Sequence, residues 1–307
     1  MFTRRHALAT LACALTLSLV SGLQAREITH AMGTTDVPDA PQRIIVLTNE
    51  GTEALLAVGI KPLGAVRSFL GDPWYDHIAE QMADVAVVGE ESALNLETIA
   101  ALQPDLIIGN KMRQEKIYDQ LSAIAPTVMS EQLRGDWKIN MALYTDAAGK
   151  GAEGQAALEA FDAREARLAE ALGPQLDEEI SIIRFMAGST RMYYLDSFSG
   201  LILSEIGFKR PVTQDKPEFA DEVGKERIPE FEGDRLFYFN YETGDGAADA
   251  QAADWTADPL WQNLEVVKAG HVYPVSDAIW NTAGGYLAAN LMLDDIERIY
   301  ELPSTRE

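Results

Sequence analysis

The sequence predicts an α/β protein of two lobes joined through a helical segment, and three observations carry that reading. At 307 residues, 47% hydrophobic and 24% charged, the chain can fill a sizeable core and is long for a single one. Short apolar runs alternate with helical patterns up to about residue 136 and again beyond residue 174, the rhythm of a parallel, helix-covered sheet. Between the two lies a stretch rich in Ala, Glu and Arg with apolar residues at helical spacing and no low-complexity linker.

The N-terminal lobe is assigned to residues 43–136. "RIIVLTNEGTEALLAVGIKPLGAV" predicts a strand from Arg43 to Leu47, a helix around Thr52 to Val58 and a second strand ending at Val66. Gly59 and Pro62 punctuate helix from strand as a C-cap and a turn do. "VAVVG" at 85–89, a helix from near Asn95, "LIIGN" at 106–110 and a helix near Ile117 to Ile124 repeat the unit. Residues 137–173 form the bridging segment, helical from Trp137 to about Leu172, stopped by Gly173 and Pro174, and divided in two by Gly149, Gly151 and Gly154. The C-terminal lobe, 174–307, restarts with "ISIIRFMA" (180–187), "RMYYL", a helix near 199–206, "RLFYFN" (235–240) and "HVYPV" (271–275), and closes on the helix "AGGYLAANLMLDDIERIYEL".

The first 25 residues place Arg4 and Arg5 before an apolar stretch from about Ala7 to Leu19, with a small-residue exit at Ala25. This is an export signal, since the apolar part is shorter than the roughly 20 residues of a spanning helix. "TRRHAL" loosely resembles a twin-arginine signal but lacks the usual aromatic. The single cysteine, Cys13, lies within the signal, so the mature chain has no thiol for disulfides, catalysis or metal. "TLAC" could be a lipid-attachment box, but the apolar segment before it is very short; a periplasmic protein is expected rather than a lipoprotein. The net charge of −23 repels nucleic acid and anionic membranes.

Signatures of catalysis are weak. No Gly-rich phosphate loop follows a strand, "DSFSG" lacks the first glycine of a nucleophile elbow, and His30, His77 and His271 are scattered without ligand spacing. No catalytic residue, metal site or cofactor is expected. What remains is a set of cations and aromatics at predicted strand ends: Arg67, Lys111 and Arg113 in the "KMR" loop after "LIIGN", Arg184 and Arg191 around "FMAGST", Tyr241 after "LFYFN", and Trp280. Ligands of open α/β sheets bind at such ends. Guanidinium groups grip carboxylate oxygens bidentately, and aromatic faces cover flat apolar surface.

"PQRIIVLTNEGTEALLAVGIKPLGAV", "VGEESALNLETIAALQPDLIIGNK" and "DAIWNTAGGYLAANLMLDDI" resemble the periplasmic substrate-binding proteins of iron-siderophore ABC importers, a group that includes the vitamin B12 binder. "KMRQEKIYDQLSAIAPTV" and "RFMAGSTRMYYLDSFSGLILSEIGFKRP" point within it to the ferric hydroxamate and citrate-hydroxamate subgroup. The resemblance implies two lobes bridged by a long helix, with ligand held between them. It makes "KMR" part of the grip on an anionic ferric chelate, with iron entering only inside that chelate. It also implies a permease dimer as partner of a monomeric receptor, met by one exposed glutamate per lobe: Glu97 in "NLETIAALQPDL" and Glu226 in "GKERIPEFEGDRLFY". Where some hydroxamate binders carry an arginine before "NLE", this chain has Glu90 and Glu91, which favours carboxylate-bearing siderophores over purely tris-hydroxamate ones. Alternatives are a receptor for haem or cobalamin and an exported siderophore esterase using Ser197 or Ser199.

Overall fold

The computed structural model describes residues 25–133, 135 and 137–306. Apart from Ala25, the predicted export signal lies outside the described residues, and no described helix is long and apolar enough to cross a membrane.

The chain begins with a hairpin that sequence reasoning left unassigned, β1 (Ala25–His30) and β2 (Gly33–Pro38). The N-terminal lobe follows with β3 (Ile44–Val46), α1 (Asn49–Ala57), β4 (Gly64–Ala65), β5 (Ala86–Val87), the short hairpin β6 (Gly89–Glu90) and β7 (Ala93–Leu94), α2 (Leu96–Ala101), β8 (Leu106–Asn110), α3 (Lys111–Gln114), α4 (Tyr118–Ser122) and β9 (Thr127–Ser130). Its sheet runs β5-β4-β3-β8-β9, with every pairing parallel. Helix starts fall where side-chain acceptors stand: Thr48 receives Gly51 N, Asn95 receives Thr98 N and Asn110 receives Met112 N. That last cap corrects the predicted "KMR" loop. Lys111 and Arg113 lie on α3, begun directly at the strand end.

The bridging segment is two helices, α5 (Trp137–Ala147) and α6 (Gly151–Leu172). Gly149 makes the break: it sits at φ +74°, and a Cβ there would lie 2.5 Å from the Asp39 carbonyl oxygen. Gly154 serves packing instead, since its Cβ would collide with Thr145 of α5. At 22 residues, α6 is about 33 Å long.

The C-terminal lobe contains β10 (Ile180–Met186), β11 (Ser189–Tyr193), α7 (Phe198–Ile206), β12 (Ala220–Glu222), β13 (Arg235–Asn240), α8 (Ala247–Thr256), α9 (Pro259–Gln262), α10 (Glu265–Lys268), β14 (Val272–Pro274) and α11 (Tyr286–Ile299). Its sheet order is β12-β11-β10-β13-β14. β10, β13 and β14 are parallel, and β11 is antiparallel to both its neighbours. One apolar core runs through both lobes, from Ile44 and Leu106 past Trp137 and Phe161 to Ile180, Phe237 and Met292. Buried Arg164 of α6 pins α11 through Asp294 (2.6 Å) and Glu297 (3.0 Å), so the lobes share a backing on which the cleft is framed.

His30 fastens the first hairpin. Its Nε2 lies 2.9 Å from Thr35 Oγ1, and its Nδ1 accepts from Met32 N and Met129 N at 3.3 Å each. Burial lowers its pKa below the ordinary 6.5. The unfolded chain therefore binds this proton more readily, so its stabilising contribution is present above pH 6.5 and falls away as pH drops towards the folded-state pKa. We expect the Tm of the mature protein to fall through that window and to fall less in His30→Gln; equal slopes would show that His30 contributes nothing to it.

Candidate functional site

The carboxyl ends of β3, β8, β10 and β13 open onto a cleft between the lobes. It has two adjoining hollows, of about 540 Å³ and 460 Å³, which share Phe69, Glu91 and Tyr241. The first holds Arg67, Glu90 and Glu242. The second holds Asn49, Glu50 and Arg113 from the N-terminal lobe against Arg184, Arg191 and Thr282 from the C-terminal lobe, with Met112, Leu133, Met186, Phe198 and Phe219 as apolar wall.

Arg184 and Arg191 are brought together by the β10–β11 hairpin, in which they are register partners and so share a face. Arg184 is buried and fork-paired to Asp277, Nε to Oδ2 at 2.6 Å and Nη2 to Oδ1 at 3.2 Å. Its guanidinium also lies 4.6 Å from the centre of the Tyr241 ring. Arg191 forms no ion pair among the described residues. Tyr241 reaches across the cleft, its hydroxyl donating weakly to Phe69 O at 3.5 Å. Arg67 pairs with Asp72 at 3.1 Å, and Arg113 Nε lies 3.4 Å from Glu91 Oε2. Burial raises the Glu91 carboxyl above its ordinary value, while hydrogen bonds from Asn49 and the charge of Arg113 pull it down.

Two predicted site residues lie elsewhere. Trp280 is fully buried, stacked on Phe237 with centroids 4.7 Å apart and donating Nε1–H to Asp295 at 2.9 Å. It belongs to the core beneath the cleft, and its neighbours Asn281–Gly284 form the wall. Lys111 is not among the residues lining either hollow; its Nζ pairs with Glu131 at 2.7 Å. Glu97, in the first turn of α2, and Glu226, in the 3₁₀ turn Lys225–Phe231, are both exposed and form no ion pair among the described residues.

Sequence reasoning missed Asn49, Glu50 and the phenylalanines, and noticed Glu91 only as standing where some relatives carry an arginine. Asn49 and Glu50 open α1, just past the end of β3, so the strand-end rule that selected Lys111 would have found them. Glu50 is buried, its Oε1 accepting from Asn140 (2.8 Å) and Tyr144 (3.0 Å). The phenylalanines carry no local signal. Ser197 is a helix cap: its Oγ accepts from Gly200 N at 3.0 Å and donates to Tyr194 O at 2.7 Å. No described lining residue is histidine or cysteine, and no described group of three His, Cys, Asp or Glu could hold a metal.

Two lobes on a common core, enclosing a charged and aromatic cleft, are the frame of a solute-binding receptor. The chain belongs to the periplasmic binding protein family, whose pattern matches residues 44–278. It is 50% identical over 292 residues to the probable siderophore-binding lipoprotein YfiY of Bacillus subtilis (strain 168), covering 92% of this chain and 90% of that one. It is 31% identical over 265 residues to the achromobactin-binding periplasmic protein of Dickeya dadantii (strain 3937), covering 84% and 86%. The crystal structure of Staphylococcus aureus SirA complexed with staphyloferrin B superposes with a TM-score of 0.84 at 32% identity, over 91% of this chain and 99% of that one.

Proposed function

We propose that this protein is an extracytoplasmic receptor that binds a ferric siderophore of the citrate-hydroxamate or hydroxamate type and delivers it to the permease dimer of an ABC importer. The observation that carries this is the cleft itself: Arg113 from one lobe faces Arg184 and Arg191 from the other around an apolar and aromatic wall. Such a surface suits the outside of an organic chelate whose oxygens already fill the iron's coordination shell. The siderophore binding described for its relatives supports the receptor reading. Iron is cargo here, and the receptor works as a monomer without a resident cofactor. Its place is the periplasm, after cleavage near Ala25; lipid attachment at Cys13 is the alternative, in line with the lipoprotein description of the Bacillus relative.

Calorimetric titration of the mature chain from about Arg26 tests this. Ferric citrate-hydroxamate or hydroxamate chelates should bind, and uncomplexed iron, haem and cobalamin should not; tight binding of any of the latter three with none of the chelates overturns it. Arg191→Ala should weaken chelate binding by about 1.5–3 kcal/mol, a charge-assisted hydrogen bond, or roughly tenfold or more in affinity. Arg191→Lys should recover only part, because an ammonium cannot reproduce the planar fork. Arg113→Ala should weaken binding in the same direction. Unchanged affinity in both alanine variants would move the site away from these arginines.

A further inference from the structure

The proposed function rests on arginines, yet two of them already have an anion of the protein's own beside them: Arg184 is paired with Asp277, and Arg113 stands beside Glu91. Glu91 stands between the two hollows and lines both. It is 5% exposed. Its Oε1 is fixed by the backbone and side-chain nitrogens of Asn49, each at 2.8 Å. Its Oε2 has no hydrogen-bond partner and is buried, 3.4 Å from Arg113 Nε, close enough for attraction and too far for a good hydrogen bond. The carboxylate cannot readily leave. Its own carbonyl accepts from Gln114 Nε2 at 2.8 Å, tying it to the helix that carries Arg113. Glu91 and Ser92 form the turn of the β6–β7 hairpin, and Gly89 at the start of β6 has φ +116°, where a Cβ would lie 2.4 Å from Ala93 O.

The geometry points to Glu91 as a specificity-determining residue: a fixed counter-ion that leaves Arg113 able to receive a neutral or weakly anionic oxygen, and so restricts the cleft to ferric chelates of low net negative charge. A multiply anionic chelate settling against Arg113 meets the Glu91 carboxylate at short range with little water between them. Like charges so placed cost several kcal/mol. A neutral tris-hydroxamate chelate meets least repulsion and a singly anionic citrate-hydroxamate chelate an intermediate amount, which reverses the sequence expectation that Glu90 and Glu91 favour carboxylate-bearing siderophores over tris-hydroxamate ones. This deepens the proposed function and depends on it.

Calorimetry on the mature protein and on Glu91→Gln, with neutral ferrichrome and trianionic ferric enterobactin as probes, tests the assignment. Glutamine keeps an acceptor for Asn49 and removes only the charge. The wild type should prefer ferrichrome. E91Q should shift the ratio of the two affinities towards ferric enterobactin by about tenfold or more, and E91M, similar in length and uncharged, provides the same readout should E91Q fold poorly. A wild type that binds both probes equally, or a ratio that stays put in a folded variant, overturns the role of Glu91 while leaving the receptor function intact. Failure of the wild type to bind any ferric chelate overturns the proposed function itself. A purely structural Arg113–Glu91 pair would change both affinities together.

Discussion

Arg184→Ala will destabilise the mature protein by about 3–5 kcal/mol, the cost of breaking a buried ion pair by removing one partner. Arg184 is a cleft residue, but the larger effect will be on folding. Its side chain is 9% exposed and that of Asp277 only 1%. Both carboxylate oxygens of Asp277 accept from the guanidinium, whose Nη1 also lies 3.3 Å from the Tyr193 hydroxyl. Truncation leaves an ionised carboxylate in a site that burial already makes unfavourable for charge, as the raised pKa of Asp277 shows. It also frees the loop that presents Asn281–Gly284 to the cleft, so chelate affinity will fall as well. Arg184→Lys should recover a fraction of the stability, since one ammonium cannot span two oxygens at the same length. The double variant R184M/D277N should be more stable than R184A, because it removes the stranded charge along with its partner. Urea unfolding of the four proteins measures this; a loss below about 1 kcal/mol in R184A, within the ordinary range for single substitutions, would mean that water or another donor reaches Asp277.

Changing Glu97 and Glu226 together to alanine should abolish chelate uptake in cells while leaving the affinity of the purified protein unchanged. Each lobe contributes one of these exposed carboxylates, and neither lines the cleft. An uptake defect with unchanged affinity would place both carboxylates at the contact with the importer's permease, the role the family resemblance implies for them. Stability should move little, by about 0.5 kcal/mol for surface substitution plus roughly 0.3–1 kcal/mol for the carboxylate at each helix start. Reversal to lysine should be worse than alanine, because like charges across a contact repel as well as fail to attract. Normal uptake by the double alanine variant at limiting receptor levels would leave the helix-start interaction as the whole explanation of both residues.

How far the sequence reached can be followed element by element. "LIIGN" and "RLFYFN" coincide with β8 and β13 because a buried strand bounded by turn residues needs little beyond its own composition. The division of the bridging segment at Gly149 was legible for the same reason: a left-handed backbone position selects glycine locally. "RMYYL" was legible as a strand, and its antiparallel pairing with β10 follows from Ala187 and Gly188, a two-residue connection that only antiparallel strands can use. Of the cations and aromatics expected at strand ends, Arg67, Arg113 and Tyr241 line the cleft from just beyond β4, β8 and β13, while Arg184 and Arg191 line it from within β10 and β11.

By itself, then, the sequence determined the alternation of strands and helices, the acidic chain with cations at its strand ends, and the confinement of its single cysteine to the first 25 residues, all properties of residue type and short spacing. Tertiary structure decided which of those side chains faces the cleft and which charges are already spoken for. Trp280 is in the core because Phe237 and Asp295, 43 positions before it and 15 after, close over it. Lys111 points to Glu131, Arg184 is satisfied by Asp277, and Glu91 stands beside Arg113. Burial and ion pairing depend on partners distant in the chain, and no local pattern encodes the separation at which two such groups will meet.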